Sequence, residues 1–207
     1  MKVELTRFTL APIEMAAVAA AVCTDSQNPM SALKHALGSG HDSVLEHCAF
    51  TFRFEGVSRV LLAQLTRHRM ASYSIQSQRY CGANLDLVVP DSMANSKLVD
   101  DIIELKKAVS ALYDKAVALG VPEEDARYFT LQAGKTQGFV TMNARELRHF
   151  FELRRCNRAQ WEIRQLADEM HKLVMEVAPY LFHDAGPGCI RGKCPESRPC
   201  GHPRKAD

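Results

Sequence analysis

Residues 67–80, RHRMASYSIQSQRY, place four cationic side chains and five hydroxyls within fourteen positions. Guanidinium forks bind oxyanions through two parallel hydrogen bonds, while hydroxyls and amides set the orientation of what is bound. Arg67, His68, Arg69 and Arg79, with Ser72, Ser74, Gln76, Ser77 and Gln78 between them, therefore suit a phosphate joined to a polar heterocycle. A solvated basic loop or an RNA-facing patch has the same composition, so those readings stand beside the first at this level.

A second basic series runs through Arg145, Arg148, Arg154, Arg155 and Arg158. On a helix Arg145 and His149 lie i to i+4 and share one face, and Arg154 with Arg158 would extend the series at the same spacing. Glu146, Glu152 and Glu162 are interleaved, and surface ion pairs would account for the same pattern. Residues 41–47, HDSVLEH, hold two histidines and two acids, but not in the helical HExxH form of a zinc site. A loop His and Glu lining a ligand pocket fits better, with a satisfied structural histidine as the alternative. Neither type of glycine-rich phosphate loop is present, so a nucleotide cofactor must be held by side chains and helix ends. No Ser-His-Asp order and no cysteine-nucleophile signature occurs.

The tail GPGCIRGKCPESRPCGHP carries Cys189, Cys194, Cys200 and His202. Free or redox-sensitive thiols, a tetrahedral metal site in which Cys156 could replace the histidine, and a disulfide all remain open, and no metal is assigned. Cys23, Cys48 and Cys81 stand among apolar neighbours, as buried thiols do.

The balance of 26 Lys plus Arg against 24 Asp plus Glu leaves a formal charge of +2, which rules out a global polycation coating nucleic acid or membrane. Any anion site must be local. With 207 residues, 46% of them hydrophobic, the chain can bury a sizeable core. No apolar run approaches the roughly 18 residues of a membrane span. The alanine-rich run from Ala16 to Cys23 follows Glu4, Arg7 and Glu14 and reads as an ordinary helix, giving the expectation of a cytoplasmic protein.

Several elements position these clusters. KVELTRFTL predicts an edge strand, Pro12 to Cys23 a helix, and Ala32 to Leu37 a shorter one. In CAFTFRFEG, Phe50, Phe52 and Phe54 alternate with polar residues as in a half-buried strand. Ser58 caps a helix running through Val60, Leu61, Ala63 and Leu65, which delivers Arg67 to Arg69 at its C-terminal end, where the dipole favours cations. An extended loop should follow. LDLVVP predicts a short strand, and Lys97 to Leu119 a long helix with Ile102, Leu105, Val109 and Leu112 on one face, stopped by Gly120. GVPEEDAR opens another short helix, FVTM is a strand, and NARELRHFFELRR is a helix capped by Asn143 or Thr141. A last helix covers AQWEIRQLADEMHKLVMEVAPYLF, kinked or ended by Pro179. The whole predicts an α+β fold, a single domain of long helices around a small, mostly antiparallel sheet, with apolar faces that could also serve subunit contacts.

Arg67-His68-Arg69 followed by seven residues and then Ser77 resembles the signature of the flavin-dependent thymidylate synthases. The resemblance continues through SQRY, HDSVLEHCAFTF, GVPEEDAR, TMNARELRHFFELR and NRAQWEIR in the same order, over roughly residues 36 to 182. It implies that fold and a reductive methylation of dUMP to dTMP, with 5,10-methylenetetrahydrofolate as carbon donor, NADPH as electron source and FAD as cofactor. It also implies a homotetramer with sites shared between subunits, and a catalytic portion at 1–183 followed by a Cys-rich tail at 184–207. The competing function is a noncatalytic RNA- or nucleotide-binding module using the same arginines.

By position, the resemblance assigns Ser43, Glu46, Arg67, His68, Arg69, Met70, Asn143, Arg145, His149 and Leu153 to FAD. It assigns Gln64, Gln76, Ser77, Arg79, Arg127 and Arg154 to dUMP, with Arg154 at the uracil ring and His41 near flavin and folate. Arg154 and His41 are the expected catalytic pair, with Arg154 stabilising charge on the uracil carbonyls. Ser77 reads as a binding residue, because no base stands beside it in sequence to make it a nucleophile. Ile75, Thr130-Leu131 and His149 depart from the family pattern and bear on substrate choice.

Overall fold

The structure is a computed structural model that describes residues 1–205. In chain order it contains β1 (Lys2–Phe8), α1 (Pro12–Thr24), α2 (Pro29–Gly38), a 3-10 segment (Asp42–His47), β2 (Ala49–Ser58), α3 (Arg59–Leu65) and β3 (Ala71–Ile75). There follow α4 (Asp91–Ala94), α5 (Val99–Ala118), α6 (Glu123–Ala126), a 3-10 turn (Arg127–Phe129), β4 (Lys135–Asn143), α7 (Ala144–Arg154), α8 (Trp161–Val177), α9 (Pro179–Phe182) and a last 3-10 turn (Gly188–Arg191). The strands form one four-stranded sheet in the order β1-β2-β4-β3. This is the expected α+β architecture. No helix among the described residues is long and apolar enough to cross a membrane.

Packing divides the chain into two compact units, to which β2, β3 and β4 each contribute residues. The larger comprises Val3–Arg53, Leu65–Tyr73 and the chain from Phe139 onward. Its core is an aromatic cluster. Alternation along β2 drives Phe50 and Phe52 to full burial, and Phe50 meets Phe182 edge-on at 5.4 Å between ring centroids. Phe151 of α7 meets Phe182 at 5.9 Å and the His171 ring of α8 at 5.1 Å. Thr51 of β2 and Thr141 of β4 share a hydroxyl hydrogen bond of 2.9 Å, a cross-strand pair that registers the two strands.

Caps set where the helices of this unit begin. Asn143 accepts from the Glu146 amide at 2.8 Å, so Asn143 and not Thr141 turns β4 into α7. Gln160 accepts from the Glu162 and Ile163 amides at 3.0 and 3.1 Å, starting α8. Pro179 ends α8 and opens α9, with Ala178 between them at φ −147° and ψ 52°, outside the helical region. The exposed face of α1 explains why Cys23 is not buried: the helix packs its small residues Ala16, Ala17, Ala20 and Ala21 inward, leaving Val18, Val22 and Cys23 outside. Cys48 is buried as expected, and burial pushes its thiol above the ordinary range.

The smaller unit comprises Met1–Lys2, Phe54–Gln64 and Ser74–Gly138. Ser58 caps α3, its hydroxyl accepting from the Leu61 amide at 3.1 Å. Gly120, at φ +80°, reverses the chain after α5, where the Val121 amide donates to the Ala116 carbonyl at 3.0 Å. Cys81 is exposed beside Tyr80 because the chain turns at Gly82, φ +62°, on the surface. LDLVVP does not form a strand. Leu87 makes one isolated bridge to Gly134, because 131–134 is itself a turn and Pro90 has no amide to continue a ladder. The predicted inner face of α5 also differs: Leu105 and Leu112 are each 51% exposed, and Tyr113 is the residue the helix buries.

Further boundaries moved. The hydroxyl-rich residues after Arg69 are not a loop but β3, whose side chains alternate in exposure. FVTM is the end of a longer β4, and HDSVLEH is a 3-10 segment. Arg154 is the last residue of α7, so Arg158 does not continue its face and pairs instead with Glu196 at 3.1 Å.

Within the smaller unit β4 approaches β3 so closely that Gly138 is required. A Cβ there would lie 2.6 Å from the Ser74 carbonyl oxygen and 3.1 Å from the Phe54 ring. Because the first of these is backbone, the strand must shift to accept it. Gly138→Ala should therefore destabilise the protein by about 1–3 kcal/mol, read as a lower urea midpoint at unchanged slope; an unchanged midpoint would contradict the close approach.

Candidate functional site

In the larger unit, a cavity of about 730 Å³ opens between the 3-10 segment and the first turns of α7. Glu46, Met70, Asn143, Arg145 and His149 line it together, although three separate stretches of sequence supply them. Arg145 and His149 do share a helix face there, as their spacing predicts. The cavity mixes signs: Arg145 pairs with Glu46, Arg148 with Asp184 at 2.7 Å, and Arg191 with Glu152 at 3.2 Å. Compensated arginines of this kind present oriented N–H groups without a large net field, a setting in which a polar cofactor can exchange hydrogen bonds with charged groups. Glu46 raises the Arg145 guanidinium further above its ordinary value.

Not every residue expected beside this group lies in that cavity. His41 and Ser43 are exposed at the start of the 3-10 segment, and Arg67 and Arg69 are exposed on the turn after α3. Leu153, 47% exposed, lines a different cavity with Arg154, one of about 500 Å³ under the C-terminal tail. His68 is the clearest departure. It is only 4% exposed, and its two ring nitrogens bind protein groups: Nδ1 lies 2.9 Å from Glu146 Oε1, and Arg154 Nε donates to Nε2 at 3.0 Å. Its ring cannot offer those atoms to a ligand. Tyr73 donates its hydroxyl toward the Leu65 and His68 carbonyls, both at 2.8 Å, and burial with the nearby Glu146 pushes the phenol up to about 12.

The smaller unit holds Gln64, Gln76, Ser77, Arg79 and Arg127. Arg127 lines a cavity of about 330 Å³ with Arg59, Thr130, Gln132 and Gln78, a side chain only 8% exposed. Among the described residues no carboxylate lines that cavity. Burial, and then the neighbouring Arg127 guanidinium, hold Arg59 below its ordinary value, as expected where two cations face one space. Arg127 is fixed by a hydrogen bond from its Nε to the Glu124 carbonyl at 3.0 Å, and Thr130 donates to the Arg127 carbonyl at 2.8 Å. Arg59 was not singled out from the sequence; its signal was a cation at the first turn of a helix, against the dipole, which marks a position held for another reason. Arg79 pairs with Glu124 at 2.6 Å, and the Ser77 hydroxyl accepts from the Arg79 amide at 3.1 Å.

Arg155 belongs to structure. It is 2% exposed, donates to Asp168 at 3.0 Å and to the Ala185 carbonyl at 2.9 Å, and Arg204 joins the same carboxylate at 2.9 Å. Cys156, Cys189, Cys194 and Cys200 border the tail cavity as free thiols, and among the described residues no three His, Cys, Asp or Glu side chains gather as metal ligands. Residues 206–207 of the tail lie outside the described residues. Among the described residues Arg145, Arg148, Arg155, Arg158 and Arg191 are each matched to a carboxylate, which takes these five cations out of any basic patch for nucleic acid.

Residues 4–180 match the family model described as thymidylate synthase complementing protein. The flavin-dependent thymidylate synthase of Geobacter sulfurreducens is 47% identical over 212 residues, which cover 95% of this chain and 91% of that one. That of Pyrococcus furiosus is 41% identical over 95% of this chain and 90% of its own. Among solved structures, thymidylate synthase X from Helicobacter pylori, with FAD and dUMP, superposes with a TM-score of 0.75 at 27% identity, over 89% of this chain and 98% of that one. A UMP/dUMP methylase from Streptomyces cacaoi, bound with 5-Br dUMP, shares the fold at a TM-score of 0.77 and 21% identity, over 87% of this chain and 92% of its own. The mixed fold thus places the chain in the structural class of these two proteins. The chain belongs to the flavin-dependent thymidylate synthase family.

Asp184 gives this site a measurable acid dependence. Burial, the largest single influence, would raise its carboxyl, but the Arg148 fork, His183 and Arg191 together outweigh it and hold the group below the usual range. A depressed carboxylate contributes stability above its unfolded value near about pH 4, and that contribution is lost as pH falls through the folded value. Asp184→Asn should lower the urea midpoint at pH 6, and the gap from the parent should close as pH falls toward 3. A gap independent of pH would show that the pair does not hold the carboxylate down.

Proposed function

We propose that the protein makes dTMP from dUMP by reductive methylation, with FAD as cofactor, 5,10-methylenetetrahydrofolate as carbon donor and NADPH as hydride source. The observation that carries this reading is the cavity lined by Glu46, Met70, Asn143, Arg145 and His149, which gathers flavin candidates from three distant motifs. Its donor set fits a flavin: amide and guanidinium N–H groups suit ring carbonyls and phosphates, and Met70 supplies an apolar, polarisable surface. In this reading Ser43, Arg67, Arg69 and Leu153, which do not line that cavity, are further FAD contacts, and His41 would meet flavin and folate.

A bound flavin supplies hydride and one-carbon transfer chemistry. The chain's own work is to bind, orient and stabilise charge. Arg127 and Arg59, facing a space with no carboxylate, are suited to the 5′-phosphate, with Gln64, Gln76, Ser77 and Arg79 completing the nucleotide set. Arg154 carries the uracil role: its guanidinium is half-buried, and burial together with Arg67 holds it below its ordinary value, so an anionic carbonyl oxygen arriving there relieves an existing repulsion. Ser77 serves binding, since its hydroxyl accepts from the Arg79 amide and, among the described residues, bonds to no base. Thr130 buttresses the Arg127 turn, so this departure from the family pattern keeps the phosphate arginine in place.

The assembly in this reading is a homotetramer. Leu105 and Leu112, one i to i+7 face of α5, are apolar residues that its own unit leaves exposed, as a subunit contact would require. Seven free cysteines are in keeping with the reducing cytoplasm. The portion to residue 183 carries the chemistry, and the tail from 184 borders the Arg154 cavity.

Anaerobic turnover tests the proposal. dTMP should form from dUMP, methylenetetrahydrofolate and NADPH only when FAD is present. Arg154→Ala should lower kcat by about 100-fold or more, and Arg127→Ala or Arg59→Ala should raise the KM for dUMP by about 10- to 100-fold. A protein that retains no flavin, or that reduces flavin without forming dTMP, would overturn the assignment.

A further inference from the structure

His68 is the one member of the expected flavin set whose ring faces inward, and its surroundings determine its protonation. An arginine side chain is always a donor, so the Arg154 Nε–H 3.0 Å from Nε2 requires a lone pair on that nitrogen. The proton of the ring must then sit on Nδ1, where it donates to Glu146 Oε1 at 2.9 Å. The ring is held in this orientation from every side. Phe150 meets it edge-on at 4.9 Å, His149 lies at 5.8 Å, and the Tyr73 hydroxyl clamps the His68 carbonyl at 2.8 Å. Glu146 is itself placed by the first turn of α7, where its amide caps onto Asn143.

We propose that His68 is a positioning residue: as the neutral Nδ1–H tautomer, held by Glu146, it accepts from Arg154 Nε and so aims the Arg154 guanidinium at its substrate. The proposal rests on the reading of Arg154 as the uracil arginine. Physically, a hydrogen bond to Nε fixes the plane of the fork and so the direction in which the guanidinium faces. An arginine ending a helix has several rotamers of similar energy, and each one lost before substrate arrives is ordering that binding need not supply. Burial, the foremost influence, and the adjoining Arg154 and His149 lower the imidazole below its ordinary value, whereas the Glu146 hydrogen bond raises it. The net direction is downward, so the ring stays neutral from its usual titration range upward. Protonating Nε2 would set two N–H groups against each other and release the arginine. The groups facing the ring in that titration are Glu146, His149 and Arg154 from α7 and Tyr73 from β3.

Histidine-selective ¹⁵N NMR on the full-length FAD-loaded enzyme, with His68→Gln to assign the resonances, reads the tautomer directly. The expected result is an unprotonated Nε2 and a protonated Nδ1 across pH 6.5–8; a proton on Nε2 would overturn the proposal whatever the activity. Kinetics read the consequence. His68→Leu should lower kcat by about 100-fold with KM for dUMP changed little. His68→Gln, whose carbonyl restores an acceptor for Arg154, should recover most of that loss and remove the acid limb that His68 gives the kcat profile. In the Arg154→Ala background, His68→Leu should cost nothing more, because the interaction it serves is already gone. Equal and additive losses in both backgrounds would reduce His68 to a packing residue and refute the positioning role. If His68→Leu does not fold, the tautomer and the His68→Gln profile still decide. Should Arg154→Ala retain full activity while the tautomer is as stated, the uracil reading of Arg154 fails and the aiming role fails with it, but the bracketed imidazole remains.

Discussion

A buried imidazole joins the arginine-rich turn after α3 to the helix that begins some seventy residues later. His68 closes a line from Glu146 to Arg154, both on α7, and in doing so holds the turn against that helix. Such a line tolerates little exchange of parts. Apolar substitution at His68 takes a hydrogen-bond partner from Glu146 and from Arg154 at once, and removing one partner of a buried polar pair costs more than the bond itself contributed. The aromatic cluster around Phe50, Phe151 and Phe182 supplies the hydrophobic mass, but it is non-directional; the polar line decides which way α7 faces.

The same economy governs the other arginines. A chain of nearly balanced charge carries its cations in matched pairs, and most of the basic series on and after α7 is consumed in holding elements together. Arg155 with Asp168 and Arg204 ties the end of α7 to α8 and to the tail, and Arg148 with Asp184 ties its middle to the segment after α9. Two arginine-bearing cavities are local: one lined by Arg145 in the larger unit, and one lined by Arg59 and Arg127 in the smaller one. Arg59 and Arg127 differ from the paired series in facing a space that no carboxylate among the described residues lines, and burial with Arg127 holds Arg59 below its ordinary value.

Much of this was legible in the residues themselves. Alternation of phenylalanines specified β2, Ser58 and Asn143 specified two helix starts, and Pro179 specified a break, because each acts through neighbours a few positions away. Where local signals misled, a distant partner had intervened. Residues 71–75 look like a loop until β4 offers a ladder beside them, and the ladder of LDLVVP fails because its partner segment is a turn. The apolar stripe of α5 is a true helical stripe, yet its own unit leaves Leu105 and Leu112 exposed, and periodicity alone cannot tell which surface a stripe will meet.

For the site, the sequence by itself determined the inventory: which guanidiniums, amides and hydroxyls exist, in the ordered motifs that identify the family. Composition also determined that any anion site would be local, since net charge is a property of the whole chain. The tertiary structure alone decided the division of labour among those groups. It turned His68 inward to two protein partners, set Arg155 into an ion network, left Arg145 on a cavity wall and brought in Arg59, which no motif had marked. The physical reason is that a side chain's type fixes what bonds it can make, whereas burial and the groups within hydrogen-bonding distance fix which of them it does make, and both depend on residues far away along the chain.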